Sequence, residues 1–226
     1  MELVKAFWYM SNNFGDNLNY YLIKKLSGKE PVYCDDRANE KHVIVCGSIV
    51  TECNDNSILW GPGMANHSDE TSHAPEIRMV RGRMTMRRLN TTCAVGDPCL
   101  LMPRLYSPKI EKKYKVGIIP HWKDVEGLID TEHYLINPLK PALEVIDDIL
   151  SCEKIISSSL HGLILADAYG VPNMWLDTEV AIGGDGFKFL DYYSTTHKGK
   201  VPNDYNFFVS RFKFDLNDML KACPFI

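Results

Sequence analysis

The residues with the clearest potential for chemistry lie between Ile155 and Pro172, where the sequence is IISSSLHGLILADAYGVP. Two isoleucines are typical of the end of a buried strand, three serines follow, and apolar residues then recur at helical spacing. The first amides of a helix lack partners within it and carry the positive end of its dipole, so this turn suits a phosphate or a carboxylate. His161, in the first turn, could donate a proton to such an anion. A capped joint between strand and helix, with a surface histidine, explains the same pattern without a function.

A second candidate lies near the start of the chain, from Asn12 to Asn19 (NNFGDNLN). Gly15 permits a tight turn there. Asp16 could accept a proton from a hydroxyl as a general base, or it could cap the following helix, since aspartate is a preferred cap residue. On this segment alone, the capping role is favoured.

A third candidate is the segment IIPHW, which ends in His121 and Trp122 just past a predicted strand. A histidine beside an indole suits proton transfer or stacking against a sugar ring. The alternative is a capped core position that contacts no ligand.

Three arginines could bind an anion, because a guanidinium forks onto phosphate or carboxylate oxygens. Arg81 and Arg83 flank a glycine in VRGRMT at a predicted strand end, and Arg104 follows a Gly-Asp-Pro turn in GDPCLLMPRLY. A solvated helix start and a domain interface are the structural alternatives.

Two kinds of site are disfavoured by spacing. WGPGM, from Trp60 to Met64, begins like a dinucleotide fingerprint, but Asn66 occupies the third glycine position and no helical pattern follows, so we do not expect NAD. The polar loop from His67 to His73 holds two histidines and two acids without the helical spacing of HExxH or a cysteine partner. We therefore expect no metal ion.

Composition narrows the class of protein. The chain has 226 residues, 45% hydrophobic and 24% charged, with a net charge of -4, which is typical of an ordinary globular protein. No stripe of lysine and arginine interleaves with aromatic residues, so we expect no nucleic-acid partner. The seven cysteines include no CxxC and are odd in number, which favours reduced thiols. With no signal-peptide pattern and no apolar run of about 20 residues, we expect a cytoplasmic protein.

Strand and helix signals alternate along the whole chain, which predicts an α/β fold with mainly parallel sheets. The clearest predicted helices include Ala142–Leu150 and Phe187–Tyr193. Residues 107–113 contain a proline and several charges and form the best linker, so we expect two Rossmann-type halves, 1–112 and 113–226. Two facing halves of this kind place a ligand in the crevice at the carboxyl ends of their strands.

Taken in order, these segments resemble the polysaccharide pyruvyl transferase family, and most closely its branch that adds pyruvate ketals to bacterial exopolysaccharides. The matching segments are NFGDNLN, WGPGM, VRGRMT, GDPCLLMP, ISSSLHGLILADAYGVP and the KFLDYY of Lys188 to Tyr193. Each segment is weak alone, but the ordered series is specific and covers most of the chain.

The resemblance implies a GT-B-like arrangement, with the acceptor on the first half and the donor on the second. It implies phosphoenolpyruvate as donor substrate, no cofactor, and a sugar hydroxyl pair of a glycan or lipid-linked oligosaccharide as acceptor, which could bring the protein to a membrane surface. Ketal formation needs an acid at the methylene carbon, a base at the attacking hydroxyl and positive charge for the departing phosphate. The residues implicated are His161 and Asp16 for catalysis, Ser157, Ser158, Ser159, Gly162, Arg81, Arg83, Arg104 and Lys188 for the donor, and Asn17, His121 and Trp122 for the acceptor.

One position departs from the family pattern. Many members carry arginine immediately before Leu-His-Gly, where this chain has Ser159. Lys188, near a predicted closing helix, is our candidate to supply the missing charge.

Two other functions fit the same segments. A GT-B glycosyltransferase would receive the diphosphate of a nucleotide sugar at the same helix start, with Glu179 or Asp185 against the ribose. A catalytically inert carbohydrate-binding module would use Trp60, Trp122 and Trp175.

Overall fold

The computed structural model describes residues 2–125, 132–178 and 185–226. Its first sheet has six parallel strands in the order β2-β1-β3-β4-β5-β6. The strands are β1 (Leu3–Ala6), β2 (Glu30–Tyr33), β3 (His42–Ile44), β4 (Ser57–Trp60), β5 (Glu76–Val80) and β6 (Ala94–Val95). Because the chain places β2 and β3 on opposite sides of β1, this sheet has a topological switch point between β1 and β3.

The second sheet has four parallel strands in the order β10-β9-β7-β8. The strands are β7 (Tyr114–Ile119), β8 (Tyr134–Leu135), β9 (Cys152–Ser157) and β10 (Asn173–Trp175). Its switch point lies between β7 and β9, which flank each other although β8 comes between them in the chain.

Seven α-helices connect and cover the strands in the described part of the chain. They are α1 (Phe14–Ser27), α2 (Arg83–Arg88), α3 (Met102–Leu105), α4 (Ala142–Leu150), α5 (Leu160–Ala168), α6 (Phe187–Tyr193) and α7 (Leu216–Lys221). None of these helices combines the length and the apolar composition that crossing a bilayer requires.

Helix α5 lies in the interior between the two sheets. Leu163, Ile164, Leu165 and Ala166 are consecutive and fully buried, so the helix is apolar on every side rather than on one stripe. These residues belong to one continuous apolar cluster that also contains Phe14 of α1 and residues of both sheets. The start of α5 is therefore held against both halves of the molecule.

The end of the chain returns to the first sheet. Helix α6 contacts α2, and α7 packs beside β6. The indole N–H of Trp60, at the end of β4, donates a hydrogen bond to the carbonyl of Met219 in α7 at 3.0 Å. The last helices thus connect the two halves a second time.

The predicted α/β class with two mainly parallel sheets is confirmed, and the arrangement is consistent with a GT-B-like fold. Helices α4 and α6 have the predicted bounds, and all seven cysteines are free thiols, as predicted. Strand β2 was missed, since Pro31 lies inside it and proline disfavours a strand assignment. The boundary after residue 112 falls between the last strand of one sheet and the first of the other, and as a domain boundary it stays a prediction.

The start of α1 differs from the prediction. The N-cap is Asn13, whose side-chain oxygen accepts a hydrogen bond from the amide of Gly15, so Asp16 lies within the first turn and is not the cap. Gly15 is helical and does not form a tight turn. The Asp16 carboxylate is therefore not used as the helix cap.

Candidate active site

A cleft of about 140 Å³ opens where the two switch points face each other. Its volume suits a small ligand, since pockets for drug-sized molecules are several times larger. One wall follows β1 and β3, and the other follows β7 and β9, as expected for parallel sheets. The lining residues are Tyr9, Asn13, Asp16, Gly47, Ser48 and Ile49 on the first side and His121, Trp122, Ser159, Leu160, His161 and Lys188 on the second.

The three serines before α5 build the turn that presents the helix. Ser157 is buried, and its hydroxyl accepts from the amide of Ser159 at 3.0 Å. The hydroxyl of Ser158 accepts from the amide of His121 at 2.8 Å and approaches Asp124 at 3.3 Å. Of these serines, Ser159 lines the cleft.

Two serines of this turn that were predicted to contact the donor therefore form hydrogen bonds within the protein instead. Ser157 and Ser158 are satisfied by the backbone and by Asp124, which leaves them no free group toward the cleft. Gly162 is buried, and a Cβ there would contact the hydroxyl of Ser157 and the side chain of Ile119. Its small size allows close packing of α5 on the second sheet.

His161 lies in the first turn of α5 and lines the cleft. Its Nε2 atom has no hydrogen-bond partner among the described residues. The ring rests against α1, because a Cβ added at Gly15 would overlap its Nδ1 and Cγ atoms. Glycine is thus required in α1 by close approach of a histidine from the other half.

The electrostatic environment of His161 acts in two directions. Burial lowers the pKa of His161, but a hydrogen bond with Cys46 and the charges of Cys46, Asp97 and Asp16 raise it by more, so the net pKa lies above its usual value. The imidazole is therefore surrounded by groups that favour its cationic form.

Lys188, in the first turn of α6, brings a second positive group to the cleft. It makes no ion pair or hydrogen bond with any residue in the described ranges. Burial lowers the pKa of Lys188 to about 8, the charges of Arg81 and Lys123 act in the same direction, and the charge of Asp124 opposes them only in part. An ammonium without a direct ion pair in a cleft is a site for an anion, since binding one relieves the cost of its burial.

His121 and Trp122 line the same cleft after β7. Burial lowers the pKa of His121 to about 4, with help from the charges of Lys188 and Lys123, so its imidazole is neutral at pH 7. The indole of Trp122 is 44% exposed and lies tilted beside the His121 ring, with centroids 5.8 Å apart. The exposed aromatic face suits a sugar ring.

Asp16 lines the opposite wall of the cleft. One of its carboxylate oxygens accepts hydrogen bonds from the hydroxyl of Ser11 at 2.6 Å and from the side-chain Nδ2 of Asn13 at 3.4 Å. These contacts hold the carboxylate in place beside the N-cap residue of α1. Asn17, the next residue, is exposed on α1 and does not line the cleft.

The structure does not bring the three predicted arginines to the cleft. Arg81 is 1% exposed, and its guanidinium donates to Asp191 at 3.2 Å and to the hydroxyl of Ser48 at 2.7 Å. Asp191 in turn accepts from the amide and the hydroxyl of Thr85, both at 2.8 Å. A buried guanidinium with these partners is structural.

Arg83 and Arg104 lie elsewhere. The backbone amide of Arg83 donates to the hydroxyl of Ser194 at 2.9 Å, at the packing of α2 against α6. Arg104 is exposed in α3 and donates to the side chain of Asn217 at 3.1 Å. The expectation that one of these arginines binds the donor carboxylate is therefore corrected. Among the cations predicted to bind the donor, Lys188 lines the cleft.

Among the described residues, one group could hold a metal ion. The ligand atoms of Cys46, Cys99 and His161 all lie within 4.8 Å of one another. Burial raises the pKa of the Cys99 thiol well above its usual value, whereas a hydrogen bond with Cys99 lowers the pKa of Cys46. The polar loop considered in the sequence is used differently, since His67 pairs with Asp185 at 2.8 Å.

The features needed by the alternative functions are not assembled in the described structure. Asp185 is engaged by the backbone and the ring of His67, and Glu179 lies outside the described residues. Trp60 is fully buried and bonded to α7, and Trp175 stacks on Phe189 at 4.5 Å in the core. Trp122 is thus the exposed tryptophan of the three that a carbohydrate-binding module would use.

Sequence reasoning missed several residues of the cleft. Tyr9 and Ser48 line the cleft after β1 and β3, and Cys46, two residues beyond β3, is buried behind it. The strand-end rule that selected His121 and Trp122 applies equally to the segment VIVCGS, and applied there it indicates both Cys46 and Ser48.

Comparison with known proteins identifies a family and several relatives of this chain. The family model for polysaccharide pyruvyl transferase matches residues 4–179. The chain is 29% identical over 201 residues to the uncharacterized protein L143 of Acanthamoeba polyphaga mimivirus, covering 80% of this chain and 70% of that protein. It is 28% identical over 201 residues to the succinoglycan biosynthesis protein ExoV of Rhizobium meliloti, covering 81% of this chain and 61% of that protein.

A solved structure of an uncharacterized protein from Klebsiella pneumoniae aligns with a TM-score of 0.48 and 13% identity, covering 85% of this chain and 86% of that one. The matched family range contains strands of both sheets and ends after β10, before α6 and Lys188. The chain therefore belongs to the polysaccharide pyruvyl transferase family and is a transferase.

Proposed function

We propose that this transferase moves the pyruvyl group of phosphoenolpyruvate onto two hydroxyls of a sugar and forms a ketal. The acceptor is a glycan or a lipid-linked oligosaccharide, the reaction takes place in the cytoplasm, and contact with a membrane comes through the acceptor. No cofactor takes part. The donor and the product are both anions, which matches the charge of the cleft.

The observation that carries this proposal is the position of Lys188 beside the start of α5. Lys188 is partly buried at the cleft and has no ion pair with a described residue, and the start of α5 lies on the same wall. A phosphate bound there would accept hydrogen bonds from helix amides and pair with the ammonium. Lys188 thereby supplies the charge that many relatives place before Leu-His-Gly, where this chain has Ser159.

His161 is the proposed proton donor. The first sugar hydroxyl attacks C2 of phosphoenolpyruvate as a proton reaches C3, so that the methylene becomes a methyl group. The bond between C2 and the phosphate oxygen then breaks, phosphate leaves, and the second hydroxyl closes the ketal. Of the two hydroxyl protons, one replaces the proton that the acid delivers to C3, and the other leaves with phosphate. The acid and the base therefore end the cycle in the protonation states in which they began it.

Asp16 is the proposed base, because it lies on the wall that faces His161 across the cleft. Opposite placement of acid and base lets one proton be removed from the acceptor as another is added to the donor. His121 and Trp122, at the same opening, contact the acceptor, with the neutral imidazole bonding to a hydroxyl and the indole stacking on the ring.

The direct test is incubation of the protein with phosphoenolpyruvate and a panel of oligosaccharides, followed by mass spectrometry for a pyruvate ketal and an assay of released phosphate. His161→Asn keeps a polar side chain, removes the titratable ring and should lower turnover by about 10²- to 10⁴-fold. The matched control is His197→Asn, an exposed histidine away from the cleft, which should leave turnover unchanged. Full ketal transfer by His161→Asn would refute the assignment of the acid.

A thermal-shift comparison separates the proposed donor from a nucleotide sugar. Phosphoenolpyruvate should raise the melting temperature, whereas UDP- and GDP-sugars should not, because a ligand stabilises the fold in proportion to its affinity for the native state. Stabilisation by a nucleotide sugar, with consumption of that sugar in the presence of acceptor, would instead identify a glycosyltransferase.

A further inference from the structure

We propose that Cys46, Cys99 and His161 form a binding site for Zn²⁺ at the inner end of the cleft. The three residues come from separate parts of the chain, after β3, in the turn that precedes α3, and in the first turn of α5. They meet because α5 packs on that turn. The proposal stands on this cluster and is independent of the donor.

The ligand chemistry fits zinc. Two thiols and one imidazole are a ligand set that Zn²⁺ binds in tetrahedral geometry, with sulfur at about 2.3 Å and nitrogen at about 2.0 Å. The edges of such a tetrahedron are about 3.7 Å long, given those bond lengths. The ligand atoms lie within 4.8 Å of one another, so small rotations of the cysteine side chains bring them to bonding distance.

The surroundings hold these ligands in place. The amide of Cys46 donates to the side chain of Asn19 at 3.0 Å, and the amide of Cys99 donates to Asp97 at 2.9 Å. Asp97 is fully buried, and its second carboxylate oxygen has no partner among the described residues. A buried carboxylate beside the cluster favours a cation, and His161 offers one ring nitrogen as the third ligand.

Access comes from the cleft. Cys46 and Cys99 are fully buried, whereas His161 is in part exposed and lines the cleft. An ion entering by that route meets three protein ligands and leaves one position of a tetrahedron unfilled. If His161 is the proton donor of the proposed function, a bound ion takes its nitrogen and stops the reaction, so zinc acts as an inhibitor of this site.

The test uses the full chain, reduced and stripped of metal by a chelator. Titration with Co²⁺ should give absorption bands of thiolate-to-metal charge transfer, which Zn²⁺ then abolishes by displacement. X-ray absorption at the zinc edge should show two sulfur ligands at about 2.3 Å and nitrogen or oxygen at about 2.0 Å. A zinc-loaded protein with nitrogen and oxygen ligands alone would overturn the proposal.

Variants separate the cluster from the other thiols. Cys46→Ser and Cys99→Ser should each weaken zinc binding by at least about 10-fold, the effect expected when a metal site is perturbed. Cys223→Ser changes an equally buried thiol outside the cluster and should bind zinc as the unchanged protein does. Equal affinity in all three variants would also overturn the site, and circular dichroism shows that each variant is folded.

Competition with phosphoenolpyruvate tests the inhibitory role separately. The donor should weaken zinc binding if both require His161. Zinc binding that phosphoenolpyruvate leaves unchanged would keep the metal site and contradict the placement of the donor.

Discussion

The molecule buries positive charge in two regions, and it treats them in opposite ways. In the first, Arg81 pairs with Asp191, and nearby hydroxyl and carbonyl groups accept its remaining hydrogen bonds. In the second, Lys188 and His161 face the cleft, and the Lys188 ammonium has no counter-ion in the described ranges. Charge that is fully paired supports the fold, whereas charge left unpaired beside a cavity is available to a ligand.

The comparison also explains why one motif misled the sequence analysis. Arg81 has the chemistry of an anion clamp, but its carboxylate partner is provided by Asp191, 110 residues later in the chain. Gly63 and Gly82 make room for this pair, because a Cβ at either position would overlap the guanidinium or Asp191. Residues of three family segments, WGPGM, VRGRMT and KFLDYY, thus form or accommodate one buried ion pair, which connects the start of α2 to α6.

The largest effect should come from breaking the paired region. Asp191→Asn leaves the buried guanidinium without a counter-ion and should lower the free energy of unfolding by about 3–5 kcal/mol. Urea denaturation followed by circular dichroism measures the change. The exposed pair of Asp185 with His67 provides the control, because Asp185→Asn should cost far less. Equal losses in the two variants would contradict the distinction between the regions.

Removing the unpaired charge should affect binding and leave the fold intact. Lys188→Met keeps the length of the side chain, and we expect it to weaken phosphoenolpyruvate binding by about 10- to 100-fold, the contribution of a hydrogen bond to a charged group. The free energy of unfolding should stay constant or rise, because an uncompensated buried charge is lost. Isothermal titration calorimetry and urea denaturation give the two quantities. A large loss of stability with unchanged affinity would reverse the assignment.

Moving His161 without changing it sharpens the same comparison. Gly15→Ala places a methyl group against the imidazole, and we expect a loss of about 1–3 kcal/mol in stability from overpacking together with reduced turnover. The control is Lys25→Ala, at an exposed position near the other end of α1, which should leave stability and turnover nearly unchanged. Adding His161→Ala to Gly15→Ala should restore the lost stability while turnover stays low.

The smallest effect is a dependence on pH. Lys188 has a pKa of about 8 in the folded protein, below its usual 10.5, so the unfolded chain holds more protons between these values. Stability should therefore rise with pH through that window relative to Lys188→Met, which lacks the group. Donor affinity should fall above about pH 8 as the ammonium loses its proton, and calorimetry at several pH values should show no such fall in Lys188→Met. Parallel profiles for both proteins would exclude Lys188 from the donor site.

The sequence predicted those features that depend on local pattern. The alternating strands and helices, the helices α4 and α6, and the turn before α5 are all encoded within short segments, and the strand-end rule brought Asp16, His121, Trp122 and His161 to one cleft. The predictions that failed concern residues whose partners lie far away in the sequence. Arg81 meets Asp191 and Gly15 meets His161 only after the halves have docked, and Cys46 meets Cys99 only after the first half has folded, so one sequence contains no record of such contacts.

The contact of Gly15 with His161 restricts how this chain can change over generations. A lineage that loses the imidazole at position 161 frees position 15 to accept almost any helix-forming residue, because the obstacle has gone. The reverse order of substitutions, with position 15 changing first, is disfavoured because a side chain at position 15 would have to displace the His161 ring. Reacquiring the histidine after such drift would require two coordinated substitutions, so inactivation by this route is close to irreversible.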